Sequence, residues 1–133
     1  MEELKTICGV AFGGALGAVV RFAVSAAVTE RLVGGFPYGT FVINVTGAFL
    51  AGCLVVMVSE RALVSDLLKT SLMVGFLGAY TTFSAFEMEN LNLLRAGNYV
   101  TAISYTVFSV IGGLAAVYLG SELGRFPYFR FSV

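Results

Sequence analysis

The chain alternates long apolar runs with short polar interruptions. Four runs reach the roughly 20 mainly apolar residues that a membrane-spanning helix needs. They cover residues 7–28, 38–58, 68–94 and 99–119. The first gives way to TERLVGGFP, the second stops at SER, and the fourth is followed by GSELGRFPYFRFSV. The connections are short, so neighbouring spans are expected to be antiparallel, with both chain ends on one side. No domain boundary, low-complexity linker or internal repeat interrupts the pattern. It predicts one all-α membrane domain over residues 1–133, built from four transmembrane helices.

The third run is too long for a straight span. At about 1.5 Å per residue it would reach roughly 39 Å, against a hydrocarbon core of about 30 Å. Near its centre stands GAYTTFSAF, residues 78–86, where a Gly, two adjacent Thr and a Ser replace the expected Leu, Ile and Val. A strong tilt or a break within GAYTTFSAF is expected. Broken backbone at membrane depth is tolerated only where protein or a water-filled cavity covers it.

Composition supports the membrane assignment. Hydrophobic residues make up 58% of the chain and charged residues 12%, about half the share usual in soluble domains, roughly 25%. Formal net charge is zero, so neither a nucleic acid nor another acidic polymer is implied as a partner. There is no His, which removes the commonest general base and metal ligand. Cys8 and Cys53 form no metal-spacing motif and read as small buried hydrophobes. The N-terminus carries acidic residues first and no cleavage site follows, so the first run is expected to stay as a span. Lys5, Arg61, Lys69, Arg125 and Arg130 fall on the side of the termini, with Arg31 and Arg95 opposite and Arg21 nearer that end. This bias mildly favours cytoplasmic termini without settling orientation.

Glycines are frequent within the spans, and Gly13 and Gly17 form a GxxxG pair that brings helix backbones close. The pair serves either packing within the chain or a dimer interface. A homodimer is expected, because one small four-helix bundle has little interior to enclose a pathway.

Polar residues inside a membrane are costly and point to function. Arg21 either snorkels to the interface or stands as a fixed charge at the mouth of an anion path. Asn44, with Thr40 one turn earlier, either bonds a neighbouring helix or offers its amide N–H to a passing anion. Tyr105 and Ser109 share a face that continues to Gly113. They read as helix packing or as a hydroxyl stripe lining a narrow route. Phe83 and Phe86 bracket Ser84. Aromatic rings have positive edges, so two edges turned to a cavity attract a small hard anion without binding it too tightly for release. Carbonyls freed at the break would suit a small cation. Glu87 and Glu89 follow at once, and are protonated, paired with Arg or exposed at a mouth. No Ser/His/Asp or Cys/His set, HExxH or phosphate-binding loop occurs, so no enzyme is expected.

Three stretches together carry a family resemblance: GGALGAVVRF at residues 13–22, PYGTFVINVTG at 37–47 and GFLGAYTTFSAF at 75–86. In this order, in a chain of four predicted spans, the sequence resembles the bacterial fluoride channels, the CrcB or Fluc family. The resemblance implies a fluoride-selective channel that passes fluoride passively and lowers its cytoplasmic level. It implies a multi-pass protein of the bacterial cytoplasmic (inner) membrane. It also implies an antiparallel, dual-topology homodimer with two pores. Phe83 and Phe86 would be ring-edge fluoride ligands, with Asn44 close by in the pore. Tyr105 and Ser109 would belong to a polar track, with Thr40 and Thr82 nearby and Arg21 at a vestibule. Backbone carbonyls at the break, of Gly78 and Thr81 from both subunits, would hold one structural Na⁺. Two positions depart from the family pattern: Gly113 where a Ser often continues the track, and Ala85 where a hydroxyl is common.

Two other classes compete. A small dual-topology four-span drug/proton exporter needs an acid in its first span, and residues 7–28 contain none. A non-transporting assembly subunit would not need Asn44 or the Thr-Thr-Phe-Ser interruption.

Overall fold

The computed structural model describes residues 1–59 and 65–125, and every regular element among them is helical. α1 spans Glu2–Arg31 and α2 spans Tyr38–Ser59. The third run is a series of pieces: α3 (Asp66–Thr70), a π-helical stretch (Ser71–Leu77), α4 (Gly78–Tyr80) and α5 (Phe83–Arg95). α6 spans Tyr99–Arg125. By length and composition, three helices among the described residues are able to cross a membrane: Glu2–Arg31, Tyr38–Val58 and Tyr99–Arg125. Arg61 and Arg130, two of the cations assigned to the side of the termini, lie outside the described residues.

Local chemistry explains the boundaries. α1 begins with Glu2 and Glu3 and ends with Arg31, each placed favourably toward the helix dipole. Ser65 caps α3 by accepting the Leu68 N–H at 3.3 Å. α5 stops at a Schellman turn, in which Asn98 N–H reaches the Leu93 carbonyl at 2.9 Å and Gly97 N–H the Leu94 carbonyl at 3.1 Å. Gly97 sits there at φ 75°, a left-handed position that suits glycine.

The break falls within GAYTTFSAF, as expected, but past Gly78, where the resemblance put its start. Gly78–Tyr80 remain helical, and the extended residues are Thr81 (φ −82°, ψ 157°) and Thr82 (φ −149°, ψ 119°). Thr82 then starts the next helix, since its hydroxyl accepts the Ala85 N–H at 3.3 Å. A threonine cap, not glycine flexibility, fixes where the chain turns.

Close backbone approach sets the packing. A Cβ at Gly13 would collide with the Ser71 carbonyl, and one at Gly17 with the Phe76 carbonyl. The GxxxG pair therefore seats α1 on the π-helical stretch of its own chain, which settles its role in favour of internal packing. In the same way Gly52 of α2 lies against the Val117 carbonyl of α6, and Gly120 of α6 against the Phe49 carbonyl. Such contacts suit a bilayer, where apolar surface alone gives helices no drive to associate. A small core joins Phe86, Leu93, Ala102 and Tyr105, with Phe36 and Phe41 packed against it. Large apolar side chains such as Phe12, Phe22, Val74, Ile111 and Leu114 face outward. Cys8 is exposed rather than buried, although its neighbour Gly9 packs against Ser71; Cys53 is half-buried.

Candidate functional site

The break is held by one side chain. Asn44 of α2 accepts the Thr82 N–H on Oδ1 at 2.8 Å and donates Nδ2–H to the Thr82 carbonyl at 3.0 Å. The amide thus pairs with both backbone groups of one extended residue. In a continuous helix the Thr82 N–H would bond the Gly78 carbonyl. Its diversion to Asn44 releases that carbonyl, and the last carbonyls of any helix lack partners within it. Thr81 stays tethered, with its N–H and its hydroxyl both donating to the Leu77 carbonyl at 3.0 Å. Thr46 and Tyr80 hydroxyls, 2.8 Å apart, tie α2 to α4 just before the break.

A cavity of about 440 Å³ opens here, and its lining includes Asn44, Gly78, Thr81, Thr82 and Phe83. An amide N–H bonds once at a time, so the second Nδ2–H of Asn44 remains for a ligand. Of the two hydroxyl neighbours, Thr82 Oγ1 and Ser84 Oγ lie 3.3 Å apart.

The two rings that bracket Ser84 occupy different surroundings. Phe83 is 73% exposed and lines the cavity at the break, while Phe86 is 8% exposed. Phe86 instead lines a second cavity, about 370 Å³, between α5 and α6. The ring centroids are 5.8 Å apart, and Phe86 lies 5.0 Å from the ring of Tyr105. Within one chain the pair does not face a single hollow.

Glu89 resolves one question left open by the sequence. Its Oε1 accepts the Thr40 hydroxyl at 2.7 Å and its Oε2 accepts the Tyr105 hydroxyl at 2.7 Å. It is bridged by hydroxyls of α2 and α6 and pairs with no arginine among the described residues, whereas Glu87 is exposed. Each hydroxyl has one proton, so Thr40 and Tyr105 give theirs to Glu89 and not to an anion in this arrangement. Tyr105 is fully buried, and Phe36 from the α1–α2 connection packs edge-on against it at 5.2 Å. Glu89 and Thr40 also border a cavity of about 260 Å³ with Ser25, Thr29 and Phe36.

Ser109 lies one turn beyond Tyr105 on α6. Its Oγ is the one buried side-chain polar atom without a hydrogen-bond partner among the described residues. Gly113, a further turn on, has open space where a Cβ would point. Arg21 is half-buried on α1 and lines none of these cavities. The structure thus gathers Asn44, Thr82 and Phe83 around the break, joins Thr40 and Tyr105 through Glu89, leaves Ser109 on the same helix as Tyr105, and keeps Arg21 apart.

A helical membrane protein with an interrupted helix and a set of intramembrane polar donors belongs to the class whose broken backbone lines a path or a binding cavity. Comparison with known proteins narrows the class. Residues 8–121 match the model of the family described as CrcB-like protein, Camphor Resistance (CrcB). A relative from Chloroflexus aurantiacus, called fluoride-specific ion channel FluC, is 41% identical over 122 residues, covering 92% of this chain and 97% of the relative. A protein of the same description from Magnetococcus marinus is 43% identical over 119 residues, covering 90% and 97%. One from Acidobacterium capsulatum is 45% identical over 116 residues, covering 87% and 93%. The chain belongs to this CrcB/FluC family, as its three motifs indicated. These relatives are described as ion channels and not as enzymes.

Proposed function

We propose that the chain conducts fluoride passively and selectively across a bacterial cytoplasmic membrane. It works as an antiparallel homodimer with two pores. The observation that carries the reading is the Thr81–Thr82 break, pinned by Asn44 beside the exposed ring of Phe83. The spare Asn44 N–H and a positive ring edge then meet at one cavity. Neither is a full charge, so a small hard anion is attracted but released. The unpartnered Ser109 hydroxyl supplies a further donor on α6. Thr40 and Tyr105 contribute by holding Glu89, and Phe86 by its place on Tyr105. Thr82 shapes the turn, and Arg21 acts from a distance as a vestibule charge.

The third run crosses as the third of four spans, in pieces. A partner subunit is needed because Gly78 and Phe83 lie exposed at mid-chain beside a wide cavity. The same region fits a structural Na⁺. The Gly78 carbonyl is released by the Asn44 contact, and Gly78 and Thr81 both border the cavity. These carbonyls would hold the ion, which when bound supplies a fixed positive charge joining two subunits. Flux follows the fluoride gradient and the membrane potential. The drug-exporter alternative gains no support, since the first span carries no acid and the relatives are described as fluoride channels.

The deciding experiment is fluoride efflux from proteoliposomes of the purified protein, with chloride as control. Fluoride efflux well above chloride efflux is expected. Absent fluoride efflux, or equal passage of both anions, refutes the reading.

A further inference from the structure

The break at Thr81–Thr82 separates α5 from α4, so side-chain ties have to set how α5 lies. Asn44 holds its start through Thr82, and Glu89 joins it to both α2 and α6. A further tie comes from Asn90. Its Oδ1 accepts from the Thr106 hydroxyl at 3.2 Å, a proton that this hydroxyl shares with the Ala102 carbonyl of its own helix at 3.0 Å, and its Nδ2 donates to the Phe86 carbonyl at 3.2 Å.

The two ties to α6 are in step. Glu89 bonds Tyr105 and Asn90 bonds Thr106, so consecutive residues on one helix meet consecutive residues on the other. Neighbouring residues diverge by about 100° around a helix. One such bond would let α5 roll or slide about it; two in consecutive positions resist both motions. Asn90 is 7% exposed, and an amide is costly to bury unless it is bonded. Leucine would fill such a place more cheaply, so the hydrogen bonds are the reason for an asparagine here. The bond to the Phe86 carbonyl also connects this tie to the turn that carries the Phe86 ring. Unlike the Glu89 tie, it contains none of the groups assigned to the ion path.

We propose that Asn90 and Thr106 are positioning residues, whose hydrogen bond fixes the register of α5 on α6 and so holds the Phe86 ring against Tyr105. Its consequence for conduction rests on the fluoride-channel reading; its consequence for Phe86 rests on the contacts alone. The test uses the full-length protein. Thr106→Val keeps the side-chain shape and removes the hydroxyl, while Thr106→Ser keeps the hydroxyl. Asn90→Leu removes the other partner, and decides the matter if Thr106→Val fails to fold.

Phe-ring ¹³C NMR in micelles reports on Phe86 without any ion flux. The Phe86 signals should move in Thr106→Val and Asn90→Leu and return in Thr106→Ser. In proteoliposomes, fluoride efflux should fall about 3- to 20-fold in the first two, the range that one intramembrane hydrogen bond supports, and recover in the Ser variant. Unmoved Phe86 signals in Thr106→Val, or a Ser variant as impaired as the Val variant, overturn the proposal. A wild-type protein that passes no fluoride would refute the channel reading, and the NMR result would still decide the positioning role.

Discussion

Ser109→Ala separates a structural role from a conducting one. Serine in a helix commonly bonds back to the carbonyl one turn earlier, but Ser109 Oγ is buried with no partner among the described residues. Leaving a buried hydroxyl unbonded costs about 1–3 kcal/mol. Removing the hydroxyl should therefore leave stability unchanged, or raise it by about 1 kcal/mol. A hydrogen bond from this hydroxyl to an anion is charge-assisted and worth about 1.5–3 kcal/mol. That is roughly 10- to 150-fold in occupancy of the site. At fluoride well below saturation, efflux from proteoliposomes should fall about 10-fold or more, while Tm stays level or rises. The reasoning fails if the Ala variant conducts like wild type. It also fails if Tm drops by several degrees, which would mean that the hydroxyl stabilises the resting protein.

Phe83→Ile should abolish fluoride efflux with little change in the packing of the single chain, where the ring is exposed, and light scattering should still give a dimer. Phe86→Ile should also abolish efflux but cost up to about 1.5 kcal/mol, since that ring is packed in the core. Gly17→Val would press a side chain onto the Phe76 carbonyl, and should lower stability by about 3 kcal/mol or more, read as a large fall in Tm and in yield of folded protein. Replacing Na⁺ by a bulky organic cation should lower Tm, with recovery on adding Na⁺; saturation at about 100 times Kd would be worth about 2.7 kcal/mol.

The helices were legible because apolar length has few other uses: all four runs lie in helical territory, and α1, α2 and α6 are each long enough to cross. Their ends run past the predicted spans, as α1 does to Glu2 and α6 to Arg125, because charged ends of a helix lie outside the apolar run. The role of Gly13 and Gly17 was not legible, since spacing tells that two backbones meet but not which two. The break was expected within GAYTTFSAF and lies there, at Thr81–Thr82. A threonine before FSAF is a helix-start signal that would have placed it better. The Glu89 contacts were hidden for a different reason. Thr40 and Tyr105 could be put on faces of their own helices, but their meeting at α5 depends on how three helices pack. A hint existed: Phe86, Glu89, Asn90 and Leu93 recur at the three- and four-residue spacing of one helix face.

The polarity of α5 also bears on how the protein is made. Its thirteen residues include Glu87, Glu89, Asn90 and Asn92, and a single acidic residue at mid-membrane costs about 2.5–3.5 kcal/mol during insertion by the translocon. Both partners that relieve this on α6, Tyr105 and Thr106, are synthesised later than α5. Only Thr40, on the earlier α2, is already made to meet Glu89 as α5 leaves the ribosome. Entering the bilayer with α6 as one hairpin lets Glu89 and Asn90 meet Tyr105 and Thr106 at once, which lowers the cost of α5 crossing.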